Sequence, residues 1–483
     1  MHETAPATKT VAVIGGGFSG SLFALKLSRA RPDIRVLLIE RNGRHGTGLA
    51  YGAAEPYHLL NVPVQRMEVG LQPSFTAWLS TRHDVLADAL AESGQDLSAA
   101  FVPRELFGAY LRDCIAAANA PESTRGLGTI RGEVVRLLDS PSRGLLLDDG
   151  REFAADQIVL ATGNLPPQVP PVADAWLYDT GAFIPDPWAR GAYDHVDRDA
   201  AIMILGTGLT MVDIALKLVA EGHRGPIHAI SRRGLSPLAH KGGGAWEPFI
   251  AGLLPATPRQ LMRAIRDQTD KAAAAGIPWQ RVIDAVRPNI AGAWDSWTVA
   301  ERRQFLRHIR PRWDVHRHRL APRIADKLAQ LIAGGQLDVR AGRIRNYRAS
   351  GGQVEISLAP RGKQGEIRLR VAAIINCTGP RSDLDRIGIP LIADLRRRGL
   401  IVPDPLRLGI ETQDCAVVDT IGRRSDWLYA LGPLTRPAWW EVTAVPEIAV
   451  QVDQLANDLA VERQASRAET TLHHAFADLG AGI

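Results

Sequence analysis

Thr10-Val-Ala-Val-Ile14 runs straight into Gly15-Gly-Gly17-Phe-Ser19-Gly20, and Leu22, Leu25 and Leu27 follow it. A short apolar run, a glycine turn and an amphipathic helix pattern, in that order, predict a strand-turn-helix unit. Gly15 makes the tight turn, Gly17 lets a pyrophosphate approach the backbone, and Gly20 lets the helix pack closely on the strand. A second apolar run, Arg35-Val-Leu-Leu-Ile-Glu40, ends on an acid twenty residues after Gly20, with Arg41 next to it. A carboxylate there accepts both hydroxyls of an adenosine ribose, so the whole unit reads as a dinucleotide site.

A second signal of the same kind lies in mid-chain. Ala201-Ile-Met-Ile-Leu205 leads into Gly206-Thr-Gly208-Leu-Thr-Met211, with Met211 where a third glycine is expected. The larger residue predicts a looser approach of helix to strand. The next strand, Pro226 to Ser231, ends in Arg232-Arg233 where an NAD site presents an acid, and arginines there can fork onto a ribose 2′-phosphate. A solvated arginine pair beside a structural turn is the competing reading.

Around these units the chain reads as one domain interrupted by another. Gln157 to Ala161 leads into Thr162-Gly163, Ala373 to Cys377 leads into Thr378-Gly379, and Trp427 to Leu431 leads into Gly432-Pro433 before a final helix around Ile448, Val452 and Leu455. The expectation is an α/β fold of two Rossmann-like dinucleotide-binding domains, the NAD(P)H domain inserted into a discontinuous FAD domain, plus a helical insertion. The expected division is 1–195 (FAD domain, first part), 196–240 (NAD(P)H domain, first part), 241–322 (helical insertion), 323–370 (NAD(P)H domain, second part) and 371–483 (FAD domain, second part). Within the insertion, Pro288 and Pro311 are expected as helix breakers.

Composition removes several function classes. With 46% hydrophobic and 23% charged residues, the chain is an ordinary globular one rather than a disordered one. Its net charge of +5 comes from scattered arginines, which argues against a nucleic-acid surface and for small anionic substrates and cofactors. Only Cys114, Cys377 and Cys415 occur, with no CxxC pair, so dithiol chemistry is not expected and a reducing compartment is. No apolar run reaches membrane-spanning length, and Met1-His-Glu-Thr-Ala-Pro6 lacks the pattern of a signal peptide. The expectation is a cytoplasmic protein that binds neither membrane nor nucleic acid and is compatible with a homo-oligomer.

Four further blocks carry a family resemblance: Gly46-Thr-Gly-Leu-Ala-Tyr51-Gly52, Tyr57-His58-Leu-Leu-Asn61-Val-Pro63 with Met67, Phe101-Val-Pro-Arg104, and Trp313-Asp-Val-His316-Arg-His318-Arg319-Leu-Ala-Pro322. Together they resemble a bacterial flavin-dependent monooxygenase family that includes an FAD-dependent urate hydroxylase and an aspartate N-hydroxylase forming nitrosuccinate. The resemblance implies FAD in the first domain, NAD(P)H as reductant and O2 as co-substrate.

The blocks also have a direct reading. Their glycines suit a loop running along a flat ring, and His58 and Asn61 are candidates for hydrogen bonds to the flavin edge, unless His58 is a core histidine capping the loop. Val134, after Gly132-Glu133, is the candidate for an amide meeting the adenine. Arg319, with Arg317 and Arg104, is a candidate for anion recognition, against interdomain ion pairing; the His316 to Arg319 block has no acid or cysteine at ligand spacing, so no metal site is expected. Urate hydroxylation is the leading specific expectation, on the ground that the chain is close to a minimal two-domain core. N-hydroxylation of aspartate or another small amine, an NAD(P)H:acceptor reductase and a flavin-binding protein without turnover are the alternatives.

Overall fold

The computed structural model describes residues 9–120, 126–139, 142–167, 177, 180–381, 383–384 and 388–461. Thr10–Ile14 lies in the middle of a seven-stranded sheet, and Val11, Ala12 and Val13 are fully buried because both faces of the sheet are covered. Arg35–Glu40 pairs parallel on one side, with Ala12 opposite Leu37, and Leu127–Arg131 extends the sheet beyond it. On the other side lie Gln157–Leu160 and then Arg424–Ala430, both parallel. Ala416–Val418 and Thr412–Gln413 close that edge in antiparallel pairing. Helices Phe18–Ala30, Arg104–Ala118 and 445–461 pack on one face. A three-stranded antiparallel ribbon (Val134–Leu138, Gly144–Leu147, Glu152–Ala154) and helix Pro390–Arg397 cover the other.

The second sheet repeats this plan around Ile202–Leu205. Ile227–Ser231 and Leu337–Ser350 run parallel on one side, and Gln353–Pro360 and Ile367–Val371 extend that side in antiparallel order. Ala373–Asn376 pairs parallel on the other side, followed by Phe183–Ile184. Both edges of the expected division, 195/196 and 370/371, therefore fall inside the segment 183–376 that builds this sheet. The return strand looked like part of the first domain because its Thr-Gly exit matches Thr162-Gly163; the pairing of Ile202 with Ala373 assigns it to the second sheet. The chain passes between the sheets through an antiparallel ribbon of Leu165–Pro167 with Pro380–Arg381.

The helical insertion builds a core of its own from Trp294, Trp297, Phe305 and Trp313. Helices Pro258–Ala274 and Val299–Gln304 both start with a capping box, Thr257 with Gln260 and Thr298 with Glu301. Pro311 does not break a helix; it sits in the first turn of Arg310–Arg317, where the missing N–H is not needed. Trp440, from the end of the first domain, joins this core and stacks on Trp294 with ring centroids 4.4 Å apart. This contact seats the insertion beside the turn at Gly432.

Candidate dinucleotide sites and an arginine-lined cleft

The two glycine turns are built alike. A Cβ on Gly15 would lie 2.2 Å from the Ala161 carbonyl oxygen, and one on Gly206 would lie 2.2 Å from that of Cys377. Both residues also have positive φ, at +109° and +105°, so glycine is required twice over. Gly20 has the close approach expected of it, its Cβ position being 2.0 Å from the Gly15 carbonyl oxygen. Gly17 and Gly208 are the N-caps of helices Phe18–Ala30 and Leu209–Ala220, and neither helix has a side-chain cap. The first-turn N–H groups are thus left for an anion.

The first turn has the parts that FAD needs. Glu40 holds its carboxylate at the strand end, where its Oε2 accepts the Gly16 N–H at 2.8 Å. Gly17 faces the Gly46–Gly48 loop with only a 3.5 Å contact from a Cβ position to Gly48 Cα. Across the sheet, Thr162 Oγ1 is buried with no partner among the described residues, beside Gly163 at φ +70°. Ser19 is buried against Gly432, whose N–H donates to Gln451 Oε1 at 2.8 Å while Gln451 Nε2 donates to Thr435 Oγ1 at 2.7 Å. The residues fit a bound dinucleotide: a cradle without side chains, a ribose acid and an orphaned hydroxyl. Arg41 is exposed, and Val134 is buried at the start of the ribbon with the preceding Glu133 N–H donating to Asp148 Oδ1 at 3.1 Å.

The strand after the second turn, Ile227–Ser231, ends at a positively charged cleft. Arg232, Arg233, Arg307, Arg310, Arg343 and Arg361 line a space of about 480 Å³ between the second sheet and the insertion. Asp314 is the one acid in that lining. Burial, then Arg232, Arg361 and Arg312 nearby, push the Arg233 guanidinium below its ordinary value. The sequence pointed to Arg232 and Arg233; the other four come from the insertion and from the long strands, which no local motif connects to the glycine turn.

The residues expected in the flavin-facing pocket have other work. His58 is 1% exposed, its Nδ1 accepts the Glu55 N–H at 3.0 Å and its Nε2 lies 3.0 Å from the Asp213 carbonyl oxygen. Both ring nitrogens are taken, and burial lowers the pKa, so the neutral ring ties the first domain to helix Leu209–Ala220 and has no atom left for the flavin. Arg104 supports the same junction with two contacts to Asp213, at 3.0 and 3.3 Å. Asn61 accepts from His240 through its backbone oxygen at 2.9 Å, while its half-buried side chain makes no hydrogen bond among the described residues.

Arg319 is 3% exposed, paired to Asp284 and bonded to the Gln280 carbonyl oxygen at 3.3 Å. It braces the insertion, and both of its contacts lie inside that insertion. Arg317 is buried between Glu441 and Glu447, at 3.4 and 2.9 Å, and Arg287 reaches Glu447 at 2.7 Å. These pairs fix the insertion to the first turn of helix 445–461. The cysteines are buried and separate, and burial pushes Cys415 up to about 12. Among the described residues no cluster of His, Cys, Asp or Glu is placed to hold a metal, and no helix is long and apolar enough to cross a membrane.

Comparison with known proteins fits this geometry. No protein of curated function matches the chain by sequence. Among solved structures, ornithine hydroxylase from Pseudomonas aeruginosa superposes with a TM-score of 0.63 at 17% identity, over 94% of this chain and 98% of that one. L-lysine 6-monooxygenase from Pseudomonas syringae gives 0.62 at 16% identity, over 94% and 99%. An FAD-bound cadaverine monooxygenase from Erwinia amylovora gives 0.62 at 12% identity, over 92% of each chain. The family model described as FAD-NAD(P)-binding matches residues 12–165, a stretch that holds the first glycine turn, Glu40 and Thr162.

Proposed function

We propose that this chain is a flavin-dependent NAD(P)H monooxygenase that N-hydroxylates a small amine. The observation that carries the reading is the pair of equivalent glycine turns in one chain whose three cysteines are buried and not joined to one another. Two such turns suit a flavin and a nicotinamide, and the free, buried cysteines give no dithiol relay; on this reading oxygen is the acceptor. FAD held at the first turn would supply hydride acceptance from the nicotinamide and activation of O2. The chain supplies the rest. Gly15, Gly17, Gly20 and Glu40 hold one dinucleotide, Gly206, Gly208 and the arginine cleft hold the other, and the tryptophan-rich insertion keeps water from the turn at Gly432.

The six arginines favour NADPH over NADH, because a 2′-phosphate supplies the counter-charge that only Asp314 otherwise offers. Urate was favoured by the size of the chain, but size does not discriminate: the amine hydroxylases match at 92–94% of this chain and 92–99% of their own. Holoenzyme supplied with NADPH and air tests the reading. An amino acid such as L-ornithine, L-lysine or L-aspartate should accelerate oxygen and NADPH consumption, with hydroxylated amine formed in proportion. Stimulation by urate alone would return the reaction to carbon hydroxylation. No stimulation by any of them, with rapid anaerobic reduction of an added electron carrier, would make the protein a reductase.

A further inference from the structure

Several arginines that are buried or half-buried in this fold are neutralised one by one. Arg287 and Arg317 meet Glu447, Arg319 meets Asp284, and Arg104 meets Asp213. Arg436 does not follow this pattern. It comes directly after the turn Gly432–Thr435, and among the described residues it has no carboxylate within 4.0 Å and donates no side-chain hydrogen bond. Its Nε is closed off from water. Burial and the neighbouring Arg310 push the guanidinium down to about 10, with Asp314 and Glu441 as the acids that oppose this from a distance.

The surroundings of Arg436 are rigid. Its guanidinium carbon lies 4.4 Å from the ring centroid of Trp440, which in turn stacks on Trp294. The next residue is clamped by the insertion, as Trp294 Nε1 and Arg302 Nη1 donate to the Pro437 carbonyl oxygen at 2.7 and 3.4 Å. Trp440 Nε1 is also buried without a partner. Two orphaned donors thus sit side by side at the end of the turn against which Ser19 packs. Arg436 is half-buried with its Nε closed off, and a cation held there without a counter-charge is costly; the fold pairs its buried arginines, Arg317 and Arg319, and leaves this one open to a ligand.

We propose that Arg436, backed by Trp440, anchors the carboxylate of the substrate. The substrate is then an amine that carries an acid group, such as an amino acid, and a plain diamine is a poor ligand. This rests on the monooxygenase reading and adds its specificity. A guanidinium lying on an indole keeps its N–H edge for a carboxylate, which it grips through two parallel hydrogen bonds. Because the clamp orders the side chain in advance, little freedom is lost on binding.

The test is a titration of the FAD-loaded enzyme with L-ornithine, L-aspartate, putrescine and urate, followed by the flavin absorbance change and by calorimetry. At least one amino acid should bind, and putrescine should bind at least about tenfold more weakly. Arg436→Met should weaken the amino acid by about tenfold or more while FAD content and Tm stay at wild-type values, and Arg436→Lys should restore part of the loss. If Arg436→Met loses FAD or Tm, the discrimination between ornithine and putrescine by the wild type and by Arg436→Lys decides instead. Equal binding of ornithine and putrescine, unchanged affinity in Arg436→Met, binding of urate alone, or binding of none of the four overturns the assignment. Binding of an amino acid through Arg436 without any stimulation of oxygen consumption would keep the anchor and remove the monooxygenase reading.

Discussion

Alanine at Gly20 and alanine at Gly17 should fail in opposite ways. A methyl at Gly20 would lie 2.0 Å from the Gly15 carbonyl oxygen, where ordinary contact begins at 3.4 Å, so helix and turn must separate by about 1.4 Å (3.4 minus 2.0). Both sides of that contact are backbone. Overpacking of this kind costs about 3 kcal/mol or more, a large part of a net stability of roughly 5–15 kcal/mol. Gly17 has an ordinary φ of −73°, and a methyl there meets only Gly48 Cα at 3.5 Å. The apoprotein should lose about 1 kcal/mol or less, the effect of alanine at an N-cap. That methyl occupies the face on which a pyrophosphate would approach, however. Losing one or two charge-assisted backbone contacts, at roughly 1.5–3 kcal/mol each, lowers FAD affinity by about tenfold to several hundredfold or more. Urea unfolding of the apoproteins and the flavin-to-protein absorbance ratio after gel filtration separate the two effects. A Gly17→Ala protein that keeps wild-type FAD affinity, or a Gly20→Ala apoprotein of wild-type stability, would refute the account of this turn.

Three further outcomes follow from the same structure. Changing Arg232 and Arg233 together to alanine should raise the KM for NADPH by about tenfold or more and leave that for NADH nearly unchanged, as steady-state kinetics with each cofactor would show. Arg319→Met leaves Asp284 with Arg281 alone inside the insertion, so it should lower stability by roughly 3 kcal/mol in urea unfolding without changing substrate affinity in the surviving folded enzyme. Burial and the charge of Arg319 hold His240 down at about 4, below its ordinary value of 6.5, so the unfolded chain binds more protons between those values. Stability should therefore fall as pH drops from 7 toward 5, and His240→Asn should flatten that slope by up to roughly 3 kcal/mol over the whole window.

What the sequence made legible is what strand, turn and helix specify locally. Gly15, Gly20 and Glu40 occupy the positions their spacing implied, because a Rossmann turn leaves no room for a side chain at these glycines. The same local logic misassigned Ala373–Asn376, since a strand with a Thr-Gly exit is identical in sequence pattern whichever sheet it enters. Pairing register decides that question, and register is a long-range property. Pro311 was misread for a related reason: a proline ends one helix or opens the next, and the choice depends on where the preceding turn of Phe305–Ile309 stops.

Charged residues were the least legible, since an arginine's role depends on what faces it. Arg104 meets its acid 109 residues away and Arg317 meets Glu447 across 130 residues, so neither partner lies within reach of a motif. Two of the places where positive charge exceeds its local counter-charge are the exposed arginine cleft and the half-buried Arg436. The two differ in how salt should act on them. At about 0.5 M ionic strength the Debye length shrinks to roughly 4 Å, which screens solvent-facing arginines fully but a half-buried guanidinium covered by Trp440 less. Raising salt from about 20 mM to that value should raise the KM for NADPH several-fold and change the Kd of a carboxylate substrate much less. Stopped-flow reduction of the flavin at varied NADPH gives the first quantity, and absorbance titration of the oxidised enzyme gives the second. Equal salt sensitivity of both would mean that Arg436 is open to solvent when substrate binds, and the division of labour between cleft and anchor would fall with it.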